Sequence, residues 1–279
     1  MKILKKQTTD NAVVGVVTAI LIIGVIVAVV SLIQTMYIPK IMEQREADHM
    51  DTVAEQFTYL TSVINNQAAN QIKNMPVATS VTLGSKELPY MLSMKAFGTL
   101  KILDNARLIT IGSKTYKIGV ITYSSANAYF LNQNYTYEAG AMIVSQSEGN
   151  LMMIRPSFLL DYNLSNDFPL NITFDVMNII SVGNKTIASG YGTYPIQTAF
   201  YNNSSYTFTN VDNITITTSL SNSWYVFLGS SSLYGSQFTL NDTGQVCKIK
   251  FSDPNIVKVN FKITNILAQI GPGWVDQRD

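Results

Sequence analysis

Cysteine occurs once and histidine once, and charged residues fill only 13% of the 279 positions. A single cysteine, Cys247, cannot close an intramolecular disulfide, so the fold must hold by sheet pairing and apolar burial. Cys247 lies in "GQVCKIKF", which reads as strand, and is expected as a buried small hydrophobe. The lone histidine, His49, sits near the start of a helix among acids and reads as solvated or interfacial, which leaves a His-dependent triad without its base. Charge is about half of the roughly 25% usual in soluble chains, with a net value of +1. No Lys/Arg run exists beyond the first six residues, so a nucleic-acid partner is not expected.

The catalytic motifs are missing as well. There is no phosphate-cradling Gly-rich loop, no H-E-x-x-H, no paired cysteine for zinc and no G-x-S-x-G. Paired carboxylates would require Asp161, Asp167, Asp175 or Asp212 to meet in space. The expectation is a protein that is not an enzyme and holds no metal or cofactor.

What the chain does have is a long apolar run. From Asn11 to Pro39 there is no charge, and Ala12 to Ile33 is almost wholly aliphatic. As a helix these 22 residues reach roughly 33 Å, against a hydrocarbon core about 30 Å thick. A secretory signal has a shorter apolar region and a small-residue cut site after it, and neither is found here. Lys2, Lys5 and Lys6 precede the run, while Lys40 and Arg45 after it are mixed with Glu43, Glu46, Asp48 and Asp51. Basic flanks prefer the cytoplasm, so the expected topology is N-terminus in and bulk of the chain out. Tyr37 sits where an interfacial aromatic would, and Gly15 and Gly24 keep one helix surface thin enough for close helix packing.

An amphipathic pattern follows Pro39. Apolar residues recur at Met42, Met50, Val53, Phe57, Leu60, Ile64, Ala68, Ile72 and Met75, and Pro76 ends the stripe. Glu46, Asp48, Asp51, Glu55, Asn65 and Asn66 are assigned to the opposite face. Core packing against the following domain is favoured over a coiled-coil seam, because barely two clean heptads are present.

From Val77 onward the texture changes to short alternating stretches. "VATSVTL" places Val77, Thr79, Val81 and Leu83 on one side, and "GTLKILDNARLITIG" reads as a hairpin turning at Asp104-Asn105. "LNITFDVM" puts Ile172, Phe174 and Val176 inward, and "NIVKVNFKIT" does the same with Val257, Val259, Phe261 and Ile263. The stretch "AQIGPGWVDQRD" reads as an irregular tail, and "FYNNSSYTF" as a turn able to meet sugars. The expected class is α+β: a long N-terminal transmembrane and amphipathic helix, then an antiparallel, sandwich-like all-β head. Its parts are a basic leader (1–12), a transmembrane helix (13–38), an amphipathic helix (39–76) and a head (77–279) divisible near 165.

Asn-x-Ser/Thr acceptors occur at Asn134, Asn163, Asn171, Asn184, Asn202, Asn203, Asn213 and Asn241. None precedes residue 134, and the clustering suits a distal region facing a glycosylating compartment.

The start "DNAVVGVVTAILIIG" resembles the "DNAVSPVIGV" and "RAVSPVIGV" starts of archaeal type IV pilin-like proteins with class III signal peptides. "YIPKIMEQREADHMDTVAEQFTYL" and "NYTYEAGAMIVSQSEGNLMMIRPSF" are similar to an uncharacterised family of such proteins, over residues 1 to about 160. The resemblance implies leader removal on the cytoplasmic side by a prepilin-peptidase-like enzyme, between Ala12 and Val13. It also implies packing of the freed helix with other pilin-like subunits. The Ser-Pro pair of the family start is absent here, and no Glu stands near Val13. Beside a pilin-like subunit stands the alternative of a permanent single-pass anchor displaying a glycosylated β domain as an adhesin or ligand-binding module.

Overall fold

The structure, a computed structural model, describes residues 7–85 and 94–273, with side chains described from Val13 onward. Lys2, Lys5, Lys6, the Ala12 side chain and positions 274–279 lie outside the described residues. Helix α1 (Gln7–Leu32) continues through a π-helical turn (Ile33–Tyr37) into α2 (Ile38–Asn70). From Val13 to Asn70 the helical path covers 58 residues, ~87 Å at 1.5 Å per residue. The π turn precedes Pro39, which lacks an N–H and would clash with the carbonyl four residues back. Widening the turn, with the Ile38 N–H reaching Ile33 O, accommodates the ring without breaking the rod. The helix ends at Asn70, with Gln71 left-handed, rather than at Pro76. Ile72 and Met75 therefore fall outside the buried stripe and are exposed.

The head runs β1 (Val77–Thr82), β2 (Phe97–Ile111), β3 (Lys114–Ala126), β4 (Asn134–Glu138), β5 (Ala141–Gln146), β6 (Gly149–Ile154) and β7 (Ser157–Tyr162). It continues β8 (Leu170–Ser181), β9 (Ile187–Gly190), β10 (Thr193–Thr209), β11 (Asn213–Thr217), α3 (Ser221–Gly229), β12 (Phe238–Asp242), β13 (Val246–Phe251) and β14 (Val257–Ile270). One sheet has the order β1-β10-β14-β8-β7; the other runs β12-β13-β11-β2-β3-β4-β5-β6, with β9 beside β2. The pairing is antiparallel except that β14 lies parallel to β8. Residue 165 lies in the connection between β7 and β8, two strands paired with each other.

Three stretches differ from the sequence expectation. Asp104-Asn105 is no hairpin turn. It sits in a bulge within one continuous β2, where the register with β3 steps from Leu103/Val120 to Arg107/Ile118. Asp104 is used there to accept from the Ser181 N–H at 2.7 Å and from its hydroxyl, tying β2 to the end of β8. Ala268–Ile270, assigned to the tail, complete β14 and are buried, with Ala268 and Ile270 facing the helix core. "FYNNSSYTF" lies within strand β10.

The core has two parts. One gathers Ile109 and Ile118 with Ile172, Phe174, Val259, Phe261 and Trp224; the other gathers Phe57, Leu60 and Ile64 of α2 with Leu100, Tyr123, Ile196 and Ile266. Along β14 the buried parity changes from Val257, Val259, Phe261 and Ile263 to Ile266, Ala268 and Ile270, with no register shift against β8. In β3 it changes likewise, from Ile118 to Ile121 and Tyr123. Successive strand side chains point to opposite faces, so each sheet buries one face below this level and the other face above it. The level is a waist: Gly119 of β3 abuts Ile179 of β8, and its N–H donates to Asn178 Oδ1 at 2.8 Å. Above the waist, α2 occupies the wedge between the sheets.

Candidate functional site

The chemistry of α1 is set by what it leaves bare. Fourteen Val, Ile and Leu side chains from Val13 to Leu32 are exposed. Burying such a side chain contributes about 1.5–3 kcal/mol, so covering this face is worth on the order of 20 kcal/mol. That magnitude exceeds a typical domain stability, and a helix this bare is compatible with insertion into lipid. The helix is long and apolar enough to cross a membrane. Its polar side chains turn inward on the backbone: Thr18 Oγ1 donates to Val14 O and Thr35 Oγ1 to Ser31 O, each at 2.8 Å. Gly15 and Gly24 have nothing within 4 Å of where a Cβ would stand, but nine residues of α-helix put them on opposite sides of α1 rather than on one surface, so each is open to a different neighbouring helix. The Ala12–Val13 bond lies within α1.

At α2 the exposure reverses. Met42, Met50, Val53, Phe57, Leu60, Ile64 and Ala68 are buried, as the stripe predicts. Three polar residues, Glu46, His49 and Thr61, are buried with that face, the first two contrary to the sequence assignment. Glu46 is fully buried and its carboxylate accepts from three successive backbone N–H groups, Ala128 at 3.1 Å and Tyr129 and Phe130 at 2.7 Å each. It falls four residues after Met42 and four before Met50, so helical spacing put it in the stripe, but its charge argued otherwise. His49 is buried too, with Nε2 3.3 Å from the Tyr123 hydroxyl, which donates to Leu83 O at 2.9 Å. Burial lowers the His49 pKa below its usual 6.5, against the Leu83 carbonyl and Glu46, which pull it up.

Tyrosines hold the rest of α2. Tyr135 Oη lies 3.2 Å from Met50 O, and Tyr137 Oη donates to Asn65 Oδ1 at 3.1 Å. Phe57, Tyr123 and Tyr135 form a triangle of rings, with centroids 5.8 to 6.2 Å apart. Burial pushes the Tyr135 hydroxyl up to about 12 and the Tyr123 hydroxyl higher still, so both remain neutral donors. The bare helix is thereby gripped at its base by charge-assisted and tyrosine hydrogen bonds.

The carboxylates singled out in the sequence do not converge. Asp161 stands opposite Asn171 and Asp175 opposite Ser157, four residues apart along β8, ~13 Å. Asp167 is exposed in the β7–β8 connection, and Asp212 accepts from Asn213 Nδ2 at 2.8 Å. Sequence reasoning passed over Glu138. It is fully buried at the end of β4, where Arg107 Nε lies 2.7 Å, Thr218 Oγ1 2.9 Å and Trp224 Nε1 3.0 Å from its oxygens. With both oxygens engaged, Glu138 acts as a clasp between β2, β4 and α3. Cys247 is buried, and burial raises its thiol pKa to about 12. Among the described residues no three His, Cys, Asp or Glu side chains gather as a metal site would require.

The sequon asparagines are spread over the head. Asn134, Asn163, Asn184, Asn202 and Asn241 are exposed; Asn171, Asn203 and Asn213 are half-buried. Asn171, expected on the solvent face of its strand, is partly covered because Asn260 Nδ2 donates to its Oδ1 at 2.9 Å. No protein-family model, curated protein or solved structure matches this chain.

Proposed function

We propose that this chain is a pilin-like structural subunit of the cell surface, inserted through α1 and assembled with other such subunits along that helix. The observation that carries this is one helical rod, bare over its membrane-length first half and clasped between two sheets over its second. A mere anchor needs no rigid connection to its head; a subunit whose helix must be drawn from lipid and stacked does. In this proposal the N-terminus faces the cytoplasm and the head faces outward, with the sequons available for glycosylation. A prepilin-peptidase-like enzyme cuts between Ala12 and Val13, freeing the apolar helix from its cytoplasmic charges. Neighbouring helices, approaching at Gly15 and Gly24, replace lipid around α1.

Mechanical shearing of intact cells tests the proposal. A filament subunit is recovered in the sheared fraction as high-mass material. A chain that stays wholly with the membranes as a monomer is instead a permanent anchor displaying its β head.

A further inference from the structure

The five-stranded sheet ends in two open edges. Among the described residues, β7 pairs only with β8, and β10 beyond Asn203 pairs only with β14. Natural sheets guard such edges with charge, proline or a covering element. The neighbouring free end of β3 carries Lys114 and Lys117, but Ser204–Thr209 of β10 has neither charge nor proline. A row of unpaired backbone N–H and C=O groups is matched, group for group, by another extended strand.

The register identifies which strand fits. Across the sheet run the rows Phe208–Val259–Ile172–Leu160 and Thr207–Asn260–Thr173–Leu159. A third row is Thr209–Lys258–Asn171–Asp161. Strands β7 and β10 run in the same direction, since β14 is antiparallel to β10 and parallel to β8, and β8 is antiparallel to β7. A second copy in the same orientation can therefore continue each row by parallel pairing, Leu160 beside Phe208 on the inward face and Leu159 beside Thr207 on the outer one. Charge agrees. Lys114 lines the cleft at the Phe208 end of the β10 edge, and Asp161 lies at the matching end of β7. Room is available: that cleft, of about 570 Å³, lies beside Tyr116 and Ser205–Phe208, and Tyr206 is 42% exposed. On the other edge Leu159 is 64% exposed. None of the eight sequon asparagines falls within Ser157–Asp161 or Ser205–Thr209.

We propose that copies of this chain join head to tail by sheet extension, the β7 edge of one copy pairing with the β10 edge of the next. Two different surfaces meet, so the contact is heterologous and propagates. A strand pair of five or six residues is weak alone, and it becomes effective between copies already concentrated by their apolar helices. The inference thus rests on the assembling-subunit proposal and adds the surface through which the heads meet.

Disulfide trapping in cell envelopes carrying the full chain tests it, with buried Cys247 as a silent background. Leu159→Cys combined with Thr207→Cys should give, on oxidation, a ladder of dimer, trimer and higher species that collapses with reductant. Leu159→Cys with Phe208→Cys, on opposite faces, should give none, and neither should any of the single variants. A Thr207→Cys variant that dimerises with itself overturns the proposal in favour of a symmetric edge pairing. A Thr207→Cys adduct with a different protein overturns it in favour of another partner. No ladder among copies that still shear off as filaments overturns sheet extension alone. No ladder and no filaments overturns the assembling-subunit proposal as well.

Discussion

A Cβ on Gly119 would stand 2.0 Å from the carbonyl oxygen of Ile179 in the other sheet, and 2.9 Å from Leu103 O. Both obstacles are backbone, at the waist where the buried faces exchange. Gly119→Ala is therefore expected to destabilise the head by about 3 kcal/mol, the upper range for overpacking. Gly112→Ala, in an open turn at φ +56°, should lose only ~1 kcal/mol. Urea-dependent proteolysis of the full chain in detergent compares the two; equal losses would show that the waist is not tight.

That waist was not legible in the sequence. Alternation revealed the inward sets Val257–Ile263 and Ile172–Val176, because each strand half keeps one parity against one core. The parity change at Ile266 and Ile179 depends on where another sheet crosses, which no local pattern records. Asp104-Asn105 has turn chemistry, yet the long pairing of β2 with β3 overrides it and absorbs the residues as a bulge. The bare apolar helix was fully legible, since hydropathy needs no partner to be read. Glu46 and Glu138 were not, because their value comes from donors 31 to 86 residues away in the chain.

His49 gives the contact between α2 and β3 a pH dependence. Its folded pKa lies below 6.5 because burial outweighs the Leu83 carbonyl and Glu46. Below pH 6.5 the unfolded ring binds a proton that the folded ring resists, so stability is present above that pH and is lost as the pH falls from 6.5 toward the folded pKa. The urea midpoint should drop between pH 7 and 5.5, and His49→Gln should flatten part of that drop. A wild-type midpoint that rises in acid would contradict the buried neutral ring.

Cys247 should resist alkylation in the folded chain, since its thiol is buried and its pKa is near 12. Iodoacetamide labelling at pH 8 should remain negligible until denaturant is added. Labelling at the rate of an exposed thiol would contradict the packing of β13.

Glycan occupancy should follow exposure. Asn134, Asn163, Asn184, Asn202 and Asn241 are open, whereas Asn171, Asn203 and Asn213 are half-buried in strands. Glycopeptide mass spectrometry of envelope material should find the first group modified more fully than the second. Unmodified asparagine at all eight positions would remove glycosylation from the account.

In the proposed subunit, α1 is a packing surface released from its leader. Mass spectrometry of the mature N-terminus, on protein taken from the cell envelope, tests it most directly. The expected mature chain begins at Val13, directly after Ala12. A mature protein still beginning at Met1 would contradict it and leave α1 as an anchor.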